Sequence, residues 1–291
     1  MLIDLQVHST YSDGYFKPTE LISFLKKQGI KITALTDHNT VSGWGEFHRA
    51  AAGSGIKAIP GLELYAKLNS RHFNILWYNF DPVAPELHDL LRESQVRRRQ
   101  RVRRVLEKLA NRGFKLAINK ILDKYNHYIP INHVIDDIIT SRTNLLKIKR
   151  QFLGKQDSAL MREEDIIRRL FFRKEIGVLR ESNISIGKIF HLRKKIGGRL
   201  ILCHPARYTM PKFEFLKALK KLGLDGIEVI SPHHTFSAMM ILQDIAQRLN
   251  FITTGGSDYH RNEGNVLPVQ NSSQYFRIDS KYLSGIKEII G

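Results

Sequence analysis

Short apolar runs recur along this chain, and most of them close on a histidine or a carboxylate. Leu2 to Val7 carries apolar residues at 2, 3, 5 and 7 and runs into His8. Ser12-Asp13-Gly14 then supplies turn chemistry with a free carboxylate. Lys31 to Thr36 closes on Asp37-His38-Asn39-Thr40. Ile56 to Leu64, interrupted by Pro60-Gly61, carries Glu63, and Arg71 to Phe80 has His72 near its start. Much later, Arg199 to Cys203 ends in His204-Pro205, Gly226 to Ile230 bears Glu228, and Phe251 to Thr254 ends in Gly255-Gly256-Ser257-Asp258-Tyr259-His260. One histidine after one strand is ordinarily a packed structural group. Recurrence at strand after strand is a different matter.

Helical stretches separate these runs. Pro18 to Gln28 starts on Lys17-Pro18 with Glu20 in its first turn and stops at Gly29. Ser42 to Ala52, Lys212 to Leu222 and Thr235 to Asn250 have the same character, and a strand near Phe276 to Ile278 and a helix from Ser280 to Ile290 close the chain. About seven strands, most followed by a helix, predict a β/α barrel. Pro85 to Arg112 is instead helical and very basic through Arg97-Arg98-Arg99-Gln100-Arg101-Val102-Arg103-Arg104, and Lys115 to Lys195 reads as several short basic helices. The expected organisation is therefore a first barrel segment over 1–95, a basic helical insertion over 96–195 and a second barrel segment over 196–291.

The ends of barrel strands converge, so residues far apart in sequence meet in one cleft. Imidazole and carboxylate together suit zinc, manganese or iron(II). At three or four ligands per ion, about eight candidates imply two or three ions, with a carboxylate bridging a pair about 3.5–4 Å apart. His48, His88, His127, His133 and His191 fall on presumed helices and loops and are assigned no role. The single cysteine, Cys203, excludes an intrachain disulfide framework and fits a reducing cytoplasm. Its apolar run predicts a buried, inert thiol. No apolar run approaches the ~20 residues of a membrane span, and the first residues lack the basic stretch of a signal peptide. A cytoplasmic protein with no membrane contact is expected, and no stable protein partner is implied. The formal net charge of +18, from 46 Lys and Arg against 28 Asp and Glu, is clustered and favours a phosphate-rich ligand.

Gln6-Val7-His8 with Ser12-Asp13-Gly14, Thr36-Asp37-His38-Asn39-Thr40, Gly61-Leu62-Glu63, His72, His204-Pro205 and Gly256-Ser257-Asp258-Tyr259-His260 resemble the polymerase and histidinol phosphatase (PHP) family, over about two thirds of the chain. Within that family the chain is similar to small stand-alone phosphoesterases acting on nucleotide phosphates and short RNA. The likeness rests on Arg98 and Arg101 before Leu109 and Gly113, on Ser141-Arg142, and on His204-Pro205-Ala206-Arg207-Tyr208. The resemblance implies a distorted (β/α)7 barrel of PHP type with an inserted helical subdomain. It also implies two or three divalent ions (Mn, Zn or Fe). One site would use His8, Glu63 and Asp258, and Glu63 would bridge to a second completed by His72 and His204. A third would use Asp13, His38 and His260, with Asp37 orienting a ligand. The family usually has His-x-His where this chain has Gln6, whose amide oxygen binds zinc poorly. The first site is then weak, selective for a harder ion such as manganese, or without an ion. Asn144 stands where a histidine often follows the insertion's arginine.

The expected reaction is phosphoester hydrolysis by a metal-activated water on a nucleotide or short nucleic acid. Arg98, Arg101, Arg142 and Arg207 are the candidates for gripping phosphate, and His260 or His38 for protonating the leaving oxygen. His8, Asp13, His38, Glu63, His204 and His260 make up the catalytic set. One rival is a phosphatase for a small metabolite such as histidinol phosphate, which needs no extended basic surface. Another is a metal-poor module that binds nucleic acid without cutting it, an alternative that Gln6 keeps open.

Overall fold

The structure is a computed structural model that describes residues 1–152, 163–172, 179, 181–261 and 277–291. It divides into two compact units, one of residues 1–91 and 183–291, the other of residues 92–182.

The first unit is a sheet rolled into a nearly closed barrel. Its elements are β1 (Leu2–Val7), α1 (Pro18–Lys27), β2 (Ile32–Leu35), α2 (Trp44–Ala51), β3 (Lys57–Leu68) and β4 (Arg71–Tyr78), then β5 (Ile184–Ser185), α8 (Ile186–Ile196), β6 (Arg199–Leu202), α9 (Phe213–Leu222), β7 (Gly226–Ile230), α10 (Phe236–Leu249), β8 (Ile252–Gly255) and β9 (Ile278–Asp279). The strand order is β8-β7-β6-β4-β3-β2-β1-β9, with β5 beside β3. A parallel bridge between Val7 and Tyr259 joins the first strand to the segment leaving β8. There Gly256 lies so close to β1 that a Cβ on it would stand 2.5 Å from Gln6 Cβ. Neighbours pair in parallel except β4, which runs antiparallel to both β3 and β6, and β9, antiparallel to β1.

Side-chain alternation along the strands builds two layers. Ile59, Leu76, Tyr78, Ile201 and Cys203 pack in one cluster with Ile3 and Leu5. Leu62, Leu64, Ile75, Trp77, Leu200 and Leu202 face the other way, onto Ile189 and Leu192 of α8 and Leu216 and Leu219 of α9. The strand expected to break at Pro60-Gly61 is continuous over twelve residues. Gly61 is accommodated because a Cβ there would meet Leu35 O at 2.7 Å. The stretch 183–196 lies with the barrel, since Ile184 pairs with Ala66 and α8 buries Ile186, Ile189 and Leu192. The closing helix expected over 280–290 is a 3-10 turn, Ser280–Tyr282, and a short helix, Lys287–Ile290, with Gly285 at φ +68° between them. Phe276 lies outside the described residues.

The second unit has its own core. α3 (Pro85–Asn111) enters it after Leu91, and α4 (Ile118–Leu122), α5 (Ile131–Ile139), α6 (Arg142–Phe152) and α7 (Glu163–Phe171) follow. Val102, Leu106 and Leu109 pack with Leu122, Val134, Ile135, Ile138, Ile148 and Leu170. Among the described residues no helix is long and apolar enough to cross a membrane.

Candidate metal centre

Side chains from the strand ends of the barrel meet in one pocket. His8 leaves β1 fully buried, with its backbone N–H donating to Tyr259 O at 2.9 Å. The turn after it is held by Asp37, which accepts from Ser9 N at 2.8 Å, Ser9 Oγ at 2.7 Å and Ser12 Oγ at 2.6 Å. That clamp presents Asp13 to three imidazoles, with His260 Nε2 at 3.3 Å, His38 Nε2 at 3.5 Å and His8 Nδ1 at 3.6 Å. His38 stacks on Tyr65, and His8 on His260.

Glu63 is the hinge of the pocket. Its Oε2 lies 3.2 Å from His8 Nε2 and its Oε1 3.4 Å from His204 Nε2. Asp258 Oδ1 approaches His8 Nε2 to 3.1 Å from the far side. A second buried carboxylate steadies this last group: Asp4 accepts from Ser257 N at 2.9 Å and Ser257 Oγ at 2.6 Å. Three strand-end residues here have left-handed backbones, Asn39 at φ 47°, His204 at φ 25° and Asp258 at φ 50°. Such conformations cost on the order of 1–3 kcal/mol for a residue with a side chain and cluster where a site imposes them.

Two physical observations point to a cation. Charge-assisted N–H···O bonds are usually about 2.7–2.9 Å long, whereas the six contacts just described run from 3.1 to 3.6 Å, although His233 meets Asp258 at 2.6 Å. Ligand atoms about 2.0–2.1 Å from a tetrahedral ion stand about 3.3 Å from one another. Three groups have their ligand atoms within 4.8 Å of one another: His8, Asp13, His38 and His260; His8, Glu63 and Asp258; and Glu63, Cys203 and His204. The second observation is electrostatic. Burial alone would raise the Asp13, Glu63 and Asp258 carboxyls, yet the surrounding histidines hold all three well below the usual carboxylate range. Burial alone would likewise lower His8, yet Asp258, Glu63 and Asp13 lift it well above the ordinary range, and Asp13 lifts His260. Among the described residues, no lysine or arginine of this unit is buried. The carboxylates thus favour the protonated form of His8 and His260, whereas burial lowers His38. The donor set fits divalent ions.

A profile described as the PHP domain matches residues 4–174. The chain belongs to the PHP-domain family. A 5'-3' exoribonuclease of Haemophilus influenzae is 28% identical over 262 residues, covering 88% of this chain and 89% of the relative. A 3',5'-nucleoside bisphosphate phosphatase of Chromobacterium violaceum is 26% identical over 264 residues, covering 89% and 87%. The solved structure of a Bifidobacterium adolescentis protein, proposed to be a metal-dependent phosphoesterase, superposes with a TM-score of 0.73 over 99% of this chain and 94% of that one. At 23% identity it bears on fold alone. The PHP-type barrel expected from the motifs is the fold observed.

His72 is absent from the pocket. Because β4 runs antiparallel, His72 pairs with Lys67 while Glu63 pairs with Leu76. Four residues of strand separate the two levels, roughly 14 Å. His72 is exposed, and its Nδ1 meets Asn183 Nδ2 at 2.6 Å. Asn74 reaches Glu63 instead, donating from Nδ2 to Oε1 at 2.5 Å. Gln6 does sit at the pocket, donating to Glu63 Oε2 at 3.1 Å.

The four arginines separate in the same way. Arg98, buried in the second unit, donates from Nε to Ile129 O at 2.6 Å, pairs with Glu181 and lies over the Tyr128 ring. That guanidinium is an internal strut, and Arg101 bonds the Glu181 carbonyl. Arg142 is exposed at the start of α6. Asn144 is a buried clip in the same unit, joined to Lys115 N, Lys115 O and Ile138 O. Arg207 belongs to the barrel unit, is exposed three residues after His204, and feels the field of Asp258 and Glu63.

Sequence reasoning missed His233, whose Nε2 lies 2.6 Å from Asp258 Oδ2. Its signal was present, for Ser231-Pro232-His233 follows β7 as His204-Pro205 follows β6.

Proposed function

We propose that this chain is a metal-dependent phosphoesterase that hydrolyses phosphate esters of nucleotides or short oligonucleotides. The observation that carries the reading is the pocket of His8, Asp13, His38, Glu63, His204, Asp258 and His260, whose imidazole and carboxylate atoms gather in groups that could hold cations. His8, Glu63 and Asp258 would hold one ion and Asp13, His38 and His260 another. Glu63 and His204 would serve a third position. Two or three divalent ions (Mn, Zn or Fe), when bound, lower the pKa of coordinated water towards ~7 and neutralise phosphoryl oxygens.

The chain's own groups do the rest. Asp37 fixes the turn bearing Asp13, and Asp4 fixes the segment bearing Asp258, so neither carboxylate must be ordered when substrate arrives. A proton for the leaving oxygen would come from His260 or His38, whichever imidazole is not holding an ion. Arg207 is the barrel-unit guanidinium available to a phosphate, and the basic surface favours a polyanion over a single small monoester. The exoribonuclease and the bisphosphate phosphatase among the relatives support a substrate bearing nucleotide phosphates.

The test is a screen of nucleoside monophosphates, 3',5'-bisphosphates, 5'-phosphorylated short RNA and histidinol phosphate with added manganese. Turnover is expected on the nucleotide substrates, with KM rising as salt is added. His204→Ala should lose at least about a hundredfold, on the scale of damage to a metal site. Turnover of histidinol phosphate alone, or RNA binding without turnover of any substrate, would reject the reading.

A further inference from the structure

Cys203 is the chain's single cysteine, and its burial matches the expectation of an inert core thiol. Its neighbours do not. Consecutive side chains on an extended strand point to opposite faces, so Cys203 and His204 should diverge. The left-handed turn at His204, φ 25°, brings them together. Cys203 Sγ and His204 Nε2 each lie 3.4 Å from the same atom, Glu63 Oε1.

The neighbouring amide completes the picture. Gln6 donates from Nε2 to Cys203 Sγ at 3.1 Å and to Glu63 at 3.1 Å, which leaves its own fully buried Oε1 without a hydrogen-bond partner. Stranding such an oxygen costs on the order of 1–3 kcal/mol. A half-turn of the amide would aim that oxygen at the Glu63 carboxylate, which repels it unless a cation lies between them. Beyond Cys203, Glu228 is also fully buried, 4.0 Å from Sγ, with its Oε1 likewise unpartnered. Simple packing explains a buried thiol, but neither the strained turn nor two orphaned oxygens.

We propose that Cys203 is a thiolate ligand to a divalent ion shared with Glu63 and His204, with the Gln6 amide oxygen turned towards it. The inference rests on the reading above, that this pocket holds cations. It makes this end of the centre a soft site, suited to zinc or iron(II) over manganese. On binding, the sulfur–hydrogen bond is replaced by a sulfur–metal bond, and the proton leaves to solvent.

The experiment uses the full chain loaded with cobalt(II) and, separately, with zinc. Cobalt-loaded wild type should show a thiolate-to-metal charge-transfer band in the near ultraviolet. Zinc absorption-edge spectra should show a sulfur neighbour at about 2.3 Å. No other residue can supply a thiolate. Cys203→Ala and Cys203→Ser should lose both signals and one equivalent of metal per chain. Wild type alone decides the matter if both variants misfold. Bound metal with a purely nitrogen and oxygen environment would overturn this inference and leave the phosphoesterase reading intact. A wild-type chain that retains no metal would overturn both.

Discussion

Glu63→Gln is expected to cut turnover by at least about a hundredfold, on the scale of losing a preorganised electrostatic group in an active site. The substitution is nearly isosteric, so the twelve-residue strand that carries position 63 is not disturbed. The chemistry of the position changes completely. Glu63 faces His8 Nε2 through one oxygen and His204 Nε2 through the other, and both Gln6 and Asn74 donate to it. Burial would raise its carboxyl, but His38, His204 and His8 hold it well below the usual range, so it is a full negative charge at neutral pH. An amide brings one acceptor oxygen, no charge and a pair of donors to a position already surrounded by donors. The checks are kcat with saturating manganese on the best substrate of the screen, and metal content after dialysis. Unchanged values of both would remove Glu63 from the account.

The second large effect is on stability. Ions that bind only the folded chain stabilise it by mass action, about 2.7 kcal/mol for each site at a hundredfold excess over its Kd. In a unit of this size 1 kcal/mol moves the midpoint by about 2–4 °C, so one filled site should add about 5–10 °C to Tm and a chelator should take it away. The pH dependence has a definite sign. His8 and His260 bind protons more tightly than ordinary histidines because carboxylates face them, and they must release those protons to act as ligands. Metal affinity, and with it the stabilisation, is therefore lost as pH falls through their raised pKa values. Calorimetry with and without manganese or zinc at two pH values measures both. An unmoved Tm at saturating metal would count against the pocket.

Much of the barrel was legible because its signal is local. Apolar alternation marks a strand, a residue after the last apolar position marks its rim, and barrel geometry collects the rims. His8, His38, His204, Asp258 and His260 follow from that rule, and they lie in one pocket with Asp13 from the turn after β1 and Glu63 from within β3. Strand direction is not local. Alternation reads the same in a parallel and an antiparallel strand, so nothing between 71 and 78 says that β4 is reversed. The family resemblance puts His72 in the pocket, whereas Asn74, on the same strand, is the residue that reaches Glu63. Arginine spacing is mute in the same way. Arg98 is buried because Glu181 and Ile129 close over it, and those partners lie 83 and 31 residues away in the chain. The clamps of Asp4 on Ser257 and Asp37 on Ser9 are likewise products of closure, invisible until the strands meet.

The central claim is that side chains between positions 8 and 260 converge to hold cations. Anomalous scattering from manganese-soaked crystals of the full chain tests it most directly. Peaks are expected among Asp13, His38 and His260 and between His8, Glu63 and Asp258. Manganese found only on the surface, with this pocket empty at a concentration that saturates activity, would contradict it.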